Sequence, residues 1–532
     1  MHAPLLLLGD EAVALGAVHA GISAAYGYPG TPSTEILEVL LRQAKESRSP
    51  HVSWTTNEKT ALEQGLGTSV VGRRSLVTMK HVGLNVAADP FMSSALVSIH
   101  GGLVLVVADD PGMHSSQNEQ DSRYFADFAG VPCLEPADAQ QAYDMTREAF
   151  EISERFHQPV LIRIVTRVAH GKGLVKTAEA LPEKPLQKAP AAAPWILIPS
   201  NARKQWGERL KNRPELRALM ESHPVNELKL ENTNRELGVI TTGLALAYYR
   251  ECQSELKRPV SHLHIGAYPF PEQKIRDLAA TVKTLIVLEE GYPFVERFLR
   301  GVIPPNIEIV GKMSGSIPAQ GELTPEIVRK TLGIPSMQGQ KLPGGLKLPG
   351  RPPQLCPGCP HTDSFHSIKA ALASFQPHLV TSDIGCYALG AMPEYNAIET
   401  CVCMGASIGM AKGAADAGLH PVVAVLGDST FLHSGMTALL DAVASNTNMT
   451  VMILDNETVA MTGGQTTIVP SPRLKDVVLG LGVSPEHLHV VTTHRKFIEE
   501  NAKLIRQEVE HPGISVIIAV RECVETAKKK KT

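Results

Sequence analysis

Apolar and polar positions along this chain follow two alternating rhythms. Runs such as Ser75–Met79, Leu103–Ala108 and Pro159–Val165 are almost continuously apolar over the length of a strand, and the segments between them have helical length and spacing. Continuous apolar runs mark strands buried on both faces, as in a parallel sheet covered by helices. The rhythm returns at Leu237–Ile240 and Thr284–Leu288, and again at Val422–Leu426, Val451–Leu454 and Ile514–Val520. Two stretches break it. KTAEALPEKPLQKAPAAAP opens at Lys176, and SMQGQKLPGGLKLPG fills residues 336–350; both are too rich in Pro, Gly and Lys to build a core. The pattern predicts an α/β protein of three doubly wound parallel-sheet domains, over 1–175, 236–335 and 351–527. Residues 176–235 are read as a linker with a helical segment, 336–350 as a second linker, and 528–532 as a basic, solvated tail.

Composition adds mainly exclusions. A formal net charge of -3 in 532 residues gives no bulk attraction to nucleic acid or to an acidic membrane. The N-terminal LLLL is followed at once by Gly9, Asp10 and Glu11, too short and too soon acidic for a signal peptide, and no run is long enough to span a bilayer. The expected location is cytoplasmic, so the eight cysteines are not a disulfide framework and their clusters are candidates for metal or redox chemistry.

The richest segment is VVAVLGDSTFLHSGMTALLDAVASNTNMTVMILDNETVAMTGGQ. A buried strand ends in Gly427-Asp428-Ser429, and a helix follows with Met436, Leu439, Leu440 and Val443 at the spacing of one packed face. A second strand then ends in Asp455-Asn456. Parallel strands joined by one helix set Asp428 and Asn456 side by side at the carboxyl edge of the sheet, where α/β proteins bind ligands. A carboxylate, an amide oxygen and a nearby carbonyl are hard ligands that suit Mg²⁺ bearing phosphate, and the helix start offers N–H groups to the same phosphates. An ordinary turn with a capping Asp is the bland alternative.

LCPGCPH, with Cys356 and Cys359, admits three readings on its own: half a zinc site, a redox dithiol, or part of an iron–sulfur site. Zinc knuckles usually come as two CxxC pairs, and a dithiol usually opens a helix after a first strand. Iron–sulfur sites recruit cysteines more loosely. Cys401 and Cys403 alternate as in a buried strand, and Cys133 and Cys252 read as structural. Gly405-Ala406-Ser407-Ile408-Gly409 matches the nucleophile elbow of hydrolases, but no acid and histidine follow in recognisable context. His262 and His264 alternate on a strand pattern and read as packed or surface residues.

LGDSTFLHSG, NETVAMTGGQ and CPGCPHTDSF together resemble the α subunits of indolepyruvate ferredoxin oxidoreductases, within the thiamine diphosphate-dependent 2-oxoacid:ferredoxin oxidoreductase superfamily. The resemblance extends over nearly the whole chain. It implies two thiamine diphosphate-binding-like domains flanking a transketolase C-terminal-like domain. Gly427, Asp428, Ser429, Asn456 and Thr458 would bind the diphosphate, with Mg²⁺ on Asp428, Asn456 and the Thr458 backbone. Glu58, in TTNEKTALEQG, would be the carboxyl group that activates the aminopyrimidine, although a first-turn helix glutamate has the same appearance. Thr31, in GYPGTPSTE, would bind the substrate carboxylate, with a helix cap as the alternative. Arg123 and His114 are weaker candidates for contact with an acid substrate or coenzyme A.

For the cysteines the resemblance implies a [4Fe–4S] cluster on Cys356, Cys359, Cys386 and Cys523. The implied reaction is oxidative decarboxylation of an aryl 2-oxoacid, indolepyruvate being the type, to an aryl-acetyl-CoA and CO₂. Coenzyme A is the co-substrate and ferredoxin the electron acceptor. The implied assembly is a hetero-oligomer with a smaller β subunit. Family members commonly continue into a ferredoxin-like tail; this sequence stops nine residues past Cys523, and a separate chain is expected to carry electrons onward. A non-redox 2-oxoacid decarboxylase using thiamine diphosphate is the alternative activity.

Overall fold

The computed structural model describes residues 3–47, 49–231, 233–337, 344, 346, 350 and 353–530. They form two compact units, one reaching residue 341 and the other starting at 342. Most of the expected linker 336–350 lies outside the described residues.

The first unit is built on two sheets. Seven strands run in the order Ala267–Tyr268, Cys133–Leu134, Val160–Val165, Leu103–Asp109, Ser75–Lys80, Ala24–Gly27 and His51–Trp54. All neighbours are parallel except at the Ala267–Tyr268 edge. Every residue of Ser75–Lys80, Leu103–Asp109 and Val160–Val165 is buried, which is why these strands read as unbroken apolar runs. The N-terminal leucines Leu5–Leu8 pair antiparallel with Lys172–Val175.

The second sheet orders Glu308–Val310, Thr284–Leu288, Leu237–Thr242, Ser261–Ile265 and Leu228–Lys229, with only the last strand antiparallel. Its third strand in chain order leads within two residues into Ala267–Tyr268, so one stretch of backbone ties the two sheets together. His262 and His264 are packed residues of this sheet that share the Thr241 hydroxyl, at 2.9 and 3.0 Å.

The other unit carries five parallel strands, Leu379–Ser382, Val422–Gly427, Met449–Asp455, Ile514–Val520 and Leu488–Thr492. The chain after Val422–Gly427 is helical from Asp428 to Ala444, interrupted by a π-turn at Phe431–Gly435. Such turns recur at functional sites. Leu439 and Ala442 are the buried positions of its last segment, and Leu440 is exposed, so the predicted apolar stripe is one residue too wide.

Two other expectations change here. Cys401 and Cys403 lie in no strand and are exposed; a two-residue alternation is too short to force pairing. The basic tail, exposed at Lys528–Lys530, is helical over its first residues. A helix over Val524–Lys529 forms because Glu525 and Glu522 pair with Lys528 and Lys530, and the lysines sit at its carboxyl end, where the helix dipole favours cations.

Candidate functional site

Register decides the geometry of the edge. Val422–Gly427 and Met449–Asp455 are paired from Val423↔Thr450 to Gly427↔Leu454, so the chain leaves both strands at the same level. Asp428, Asp455 and Asn456 therefore meet there, all buried. Asp428 Oδ2 and Asp455 Oδ2 have no hydrogen-bond partner. Burial, and then the neighbouring Asp455, push the Asp428 carboxyl well above the usual range. Desolvated carboxylates with unused oxygens are what a bound divalent cation would compensate.

Asn456 is held from both sides. Its Oδ1 accepts the Thr458 N–H at 3.1 Å, and its Nδ2 faces His361 Nε2 at 3.3 Å. Burial pulls the His361 imidazole down to about 4, leaving it neutral and able to accept from the amide. Glu457, between Asn456 and Thr458, has φ of +61°, a left-handed residue that folds the chain back over the edge. The donors at Asp428, Asn456 and Thr458 are all oxygen, the chemistry that suits Mg²⁺. Gly427 leaves no room for a side chain, since a Cβ there would lie 2.8 Å from the Tyr387 ring.

The cysteines gather at the same edge. Cys359 and Cys523 are buried, and Cys356 and Cys386 are half-buried. Burial, and then Cys359, Cys523 and Cys356, push the Cys386 thiol up to about 12. Cys359 is raised to about 11 by burial, with Cys356 and Cys523 adding to it. Buried thiols held up in this way at Cys359 and Cys386 favour a cationic centre that takes thiolates. A single tetrahedral zinc, with Zn–S bonds of about 2.3 Å, would hold its sulfurs about 3.8 Å apart. Among the described residues no three of these sulfurs lie mutually within 4.8 Å. The four thiols offer the soft donors that an iron–sulfur cluster takes. Cys401 stands apart: its thiol contacts the Asp383 carbonyl at 3.6 Å, and burial, followed by Asp383, raises it.

Each arm of the cysteine set touches the oxygen site. The Cys523 N–H donates to the Asn456 carbonyl at 3.3 Å. His361, two residues after Cys359 in the first turn of the helix Pro360–Leu372, reaches the Asn456 side chain. Tyr387, next to Cys386, lies under Gly427, and its hydroxyl contacts Asp383 and Thr430 Oγ1. Ser407, the elbow lookalike, is fully buried and donates to Asp383 at 2.6 Å, so it is a structural hydroxyl. Sequence reasoning missed His361, Asp383, Tyr387 and Asp455. Only Asp455, beside Asn456 at a strand end, carried a local signal.

In the first unit, Glu58 opens the helix Glu58–Val70, but the cap is Asn57, whose side chain accepts the Thr60 N–H at 2.9 Å. Glu58 is buried, unlike an ordinary first-turn glutamate. Its carboxyl lies on Gly83, where a Cβ would sit 2.5 Å from Oε1. Thr31 is half-exposed in the turn before the helix Thr34–Ser47. Ser33 and Thr34 close that turn: Ser33 Oγ donates to the Gly30 carbonyl at 2.7 Å, and the Gly30 N–H donates to Thr34 Oγ1 at 2.9 Å. Lys80, another residue the sequence did not flag, is buried beside this loop. Its amine donates to the Ser115 carbonyl at 2.9 Å, and burial lowers it to about 8.

The two weaker candidates fare differently. His114 is exposed and faces Glu322 at 3.2 Å. Arg123 is fully buried, its guanidinium contacting Asp121, Glu135 and Glu289 and the Glu290 carbonyl. That enclosure makes Arg123 a structural residue at the junction of the two sheets, its charge spent on the surrounding acids. The sequence placed it in a polar loop and could not show that two acidic strand ends close over it.

Two family models match the chain. One, described as pyruvate flavodoxin/ferredoxin oxidoreductase, thiamine diP-bdg, covers residues 15–193. The other, thiamine pyrophosphate enzyme, C-terminal TPP binding domain, covers 383–519. The chain is 36% identical to the indolepyruvate oxidoreductase subunit IorA of Archaeoglobus fulgidus, over 98% of this chain and 86% of that one. It is 35% identical to the IorA subunit of Pyrococcus horikoshii, over 98% and 85%. Among solved structures, a 2-oxoglutarate:ferredoxin oxidoreductase from Magnetococcus marinus, with 2-oxoglutarate, coenzyme A and succinyl-CoA bound, shares the fold. The TM-score is 0.52 at 17% identity, over 62% of this chain and 65% of that one. With identity above a third along nearly its whole length, the chain belongs to the indolepyruvate oxidoreductase IorA subunits of the thiamine diphosphate-dependent 2-oxoacid oxidoreductases.

Proposed function

We propose that this chain is the thiamine-binding subunit of an oxidoreductase that converts an aryl 2-oxoacid of the indolepyruvate type, with coenzyme A, to an aryl-acetyl-CoA and CO₂. The observation that carries the reading is the joining of two sites at one sheet edge. The carboxylate oxygens without partners, Oδ2 of Asp428 and of Asp455, and the four-cysteine set are linked through Asn456. Bound there, thiamine diphosphate supplies the electron sink for loss of CO₂, and a [4Fe–4S] cluster accepts the electrons one at a time.

The residues divide the work. Asp428, Asn456 and the Thr458 carbonyl would hold Mg²⁺, which would anchor the diphosphate. His361 fixes the Asn456 amide so that its oxygen stays available. Glu58 holds the proton exchanged with the aminopyrimidine, and Thr31 orients the substrate carboxylate with its hydroxyl. Cys356, Cys359, Cys386 and Cys523 would hold the cluster, and ferredoxin or a ferredoxin-like chain would be the electron acceptor. A smaller β subunit completes a hetero-oligomer. No helix among the described residues is long and apolar enough to cross a membrane.

The test is anaerobic reconstitution of the chain with iron and sulfide, followed by assay of the complex purified with its partners. A brown protein with about four irons per chain is expected, together with viologen reduction that needs both coenzyme A and an aryl 2-oxoacid. A colourless protein after reconstitution, or viologen reduction that ignores coenzyme A, overturns the reading.

A further inference from the structure

A third group of buried acids lies away from these residues, in the first unit. Asp10 is the second residue of the helix Gly9–His19 and is fully buried. Neither of its carboxylate oxygens has a hydrogen-bond partner. Glu35 stands in the first turn of the helix Thr34–Ser47, and His170 ends the short helix Thr166–Ala169. One ligand atom from each of the three lies within 4.8 Å of the other two. His170 Nε2 and Glu35 Oε2 are 3.5 Å apart and pair, which lowers the Glu35 carboxyl and raises the His170 imidazole.

The three elements are held close by backbone. The Gly9 N–H donates to the Gly171 carbonyl at 3.1 Å, and a Cβ on Gly9 would lie only 2.0 Å from the Val168 carbonyl oxygen. Asp10 therefore cannot swing out to water without displacing that contact. Leaving an ionised carboxylate buried without a hydrogen-bond donor is costly, and the nearest cationic group, His170, is already paired with Glu35. What the chain does supply is an imidazole and a second carboxylate, aimed at the same point.

We propose that Asp10, Glu35 and His170 bind a divalent first-row transition-metal ion. Mixed imidazole and carboxylate donors suit the series from Mn²⁺ to Zn²⁺. Three protein ligands leave further positions for water on the side where His170 is exposed. Bound there, the ion fastens the start of the Thr34–Ser47 helix to the Gly9–His19 helix and to the turn before Lys172–Val175. Glu35 follows Thr31 by four residues, so the ion steadies the loop that carries Thr31. The site stands on its own geometry and does not depend on the reaction proposed above.

The experiment uses the untagged full chain, stripped with a chelator and kept free of thiamine diphosphate. Mn²⁺ is titrated in, with free Mn²⁺ followed by electron paramagnetic resonance, and melting is recorded with and without the ion. One equivalent is expected to bind to the wild type and to Asp428→Asn alike. It should weaken by about tenfold or more in Asp10→Asn and in His170→Gln. Excess Mn²⁺ should raise the melting temperature of the wild type and of Asp428→Asn, and leave that of His170→Gln unmoved. If both ligand variants bind Mn²⁺ as the wild type does, or if Asp428→Asn abolishes all binding, the site does not exist and Asp10 and Glu35 share a proton. Should Asp10→Asn fail to fold, His170→Gln decides, because its side chain lies at the surface.

Discussion

Two groups of buried carboxylates in this molecule stand under opposite conditions. At the junction of the two sheets of the first unit, Asp109, Asp121, Glu135 and Glu289 surround Arg123 and Arg163. Arg163 reaches Asp109 at 2.7 Å and Glu135 at 2.5 Å, and Arg123 reaches Asp121 at 2.5 Å and Glu289 at 3.2 Å. At the sheet edge of the other unit, Asp428 and Asp455 are equally buried and each keeps an oxygen with no partner. In the first place the chain brings its own counter-charge and the result is architecture. In the second it brings none, and the arrangement is stable with its charge only when something else binds. Absence of compensation, more than burial, separates a site from a strut.

The largest effect expected from breaking this contrast is at the strut. Arg163→Met should leave Asp109 and Glu135 facing each other in a dry interior and cost about 3–5 kcal/mol of stability, read as a lower denaturant midpoint. A midpoint unchanged from the wild type would mean that the acids are compensated elsewhere.

The same kind of change at the site should do the reverse. Asp428→Asn removes a charge with no partner, so the chain free of Mg²⁺ and cofactor should melt no lower than the wild type. Activity in the presence of thiamine diphosphate and Mg²⁺ should fall by about 100-fold or more, equivalent to about 2.7 kcal/mol of lost transition-state stabilisation. Destabilisation of the free chain, or activity that survives, would remove the distinction between the two places.

The smallest effect concerns an intermediate case. Glu290 accepts the Leu323 N–H at 2.8 Å through one oxygen, and its other oxygen has no partner. Burial raises its carboxyl from the ordinary 4.5 to about 7. The folded chain keeps a proton there that the unfolded chain releases above about 4.5. The contribution is therefore complete below the unfolded value and is lost as pH rises through 7. Glu290→Gln should flatten the fall of stability between about pH 4.5 and 7, by at most about 1.4 kcal/mol per pH unit, in urea melts across that range. An unchanged slope would show that Glu290 stays ionised.

Much of the fold could be read directly along the chain. Leu103–Asp109, Thr284–Leu288 and Ile514–Val520 stand within a residue of their apolar runs, because a strand covered on both faces must be apolar throughout. The oxygen site was visible for a related reason: a strand end is a local feature, and two strand ends one helix apart are neighbours by topology. The four cysteines came from likeness to a family, and the fold brings together those four and leaves Cys401 and Cys403 outside. Arg123 misled because a charged residue in a polar loop looks the same whether solvent or buried acids surround it.

By itself, then, the sequence determined the rhythm of strands and helices, the α/β class, and the residue types at the ends of Val422–Gly427 and Met449–Asp455. These follow from periods of a few residues, which the chain expresses locally. Tertiary structure alone decided that His361 braces Asn456 across 95 positions of chain, that Arg123 is a strut, and that Asp10 faces Glu35 and His170. Each of these depends on which side chains close over a charged group. That is set by packing between elements distant in sequence, and no local pattern records it.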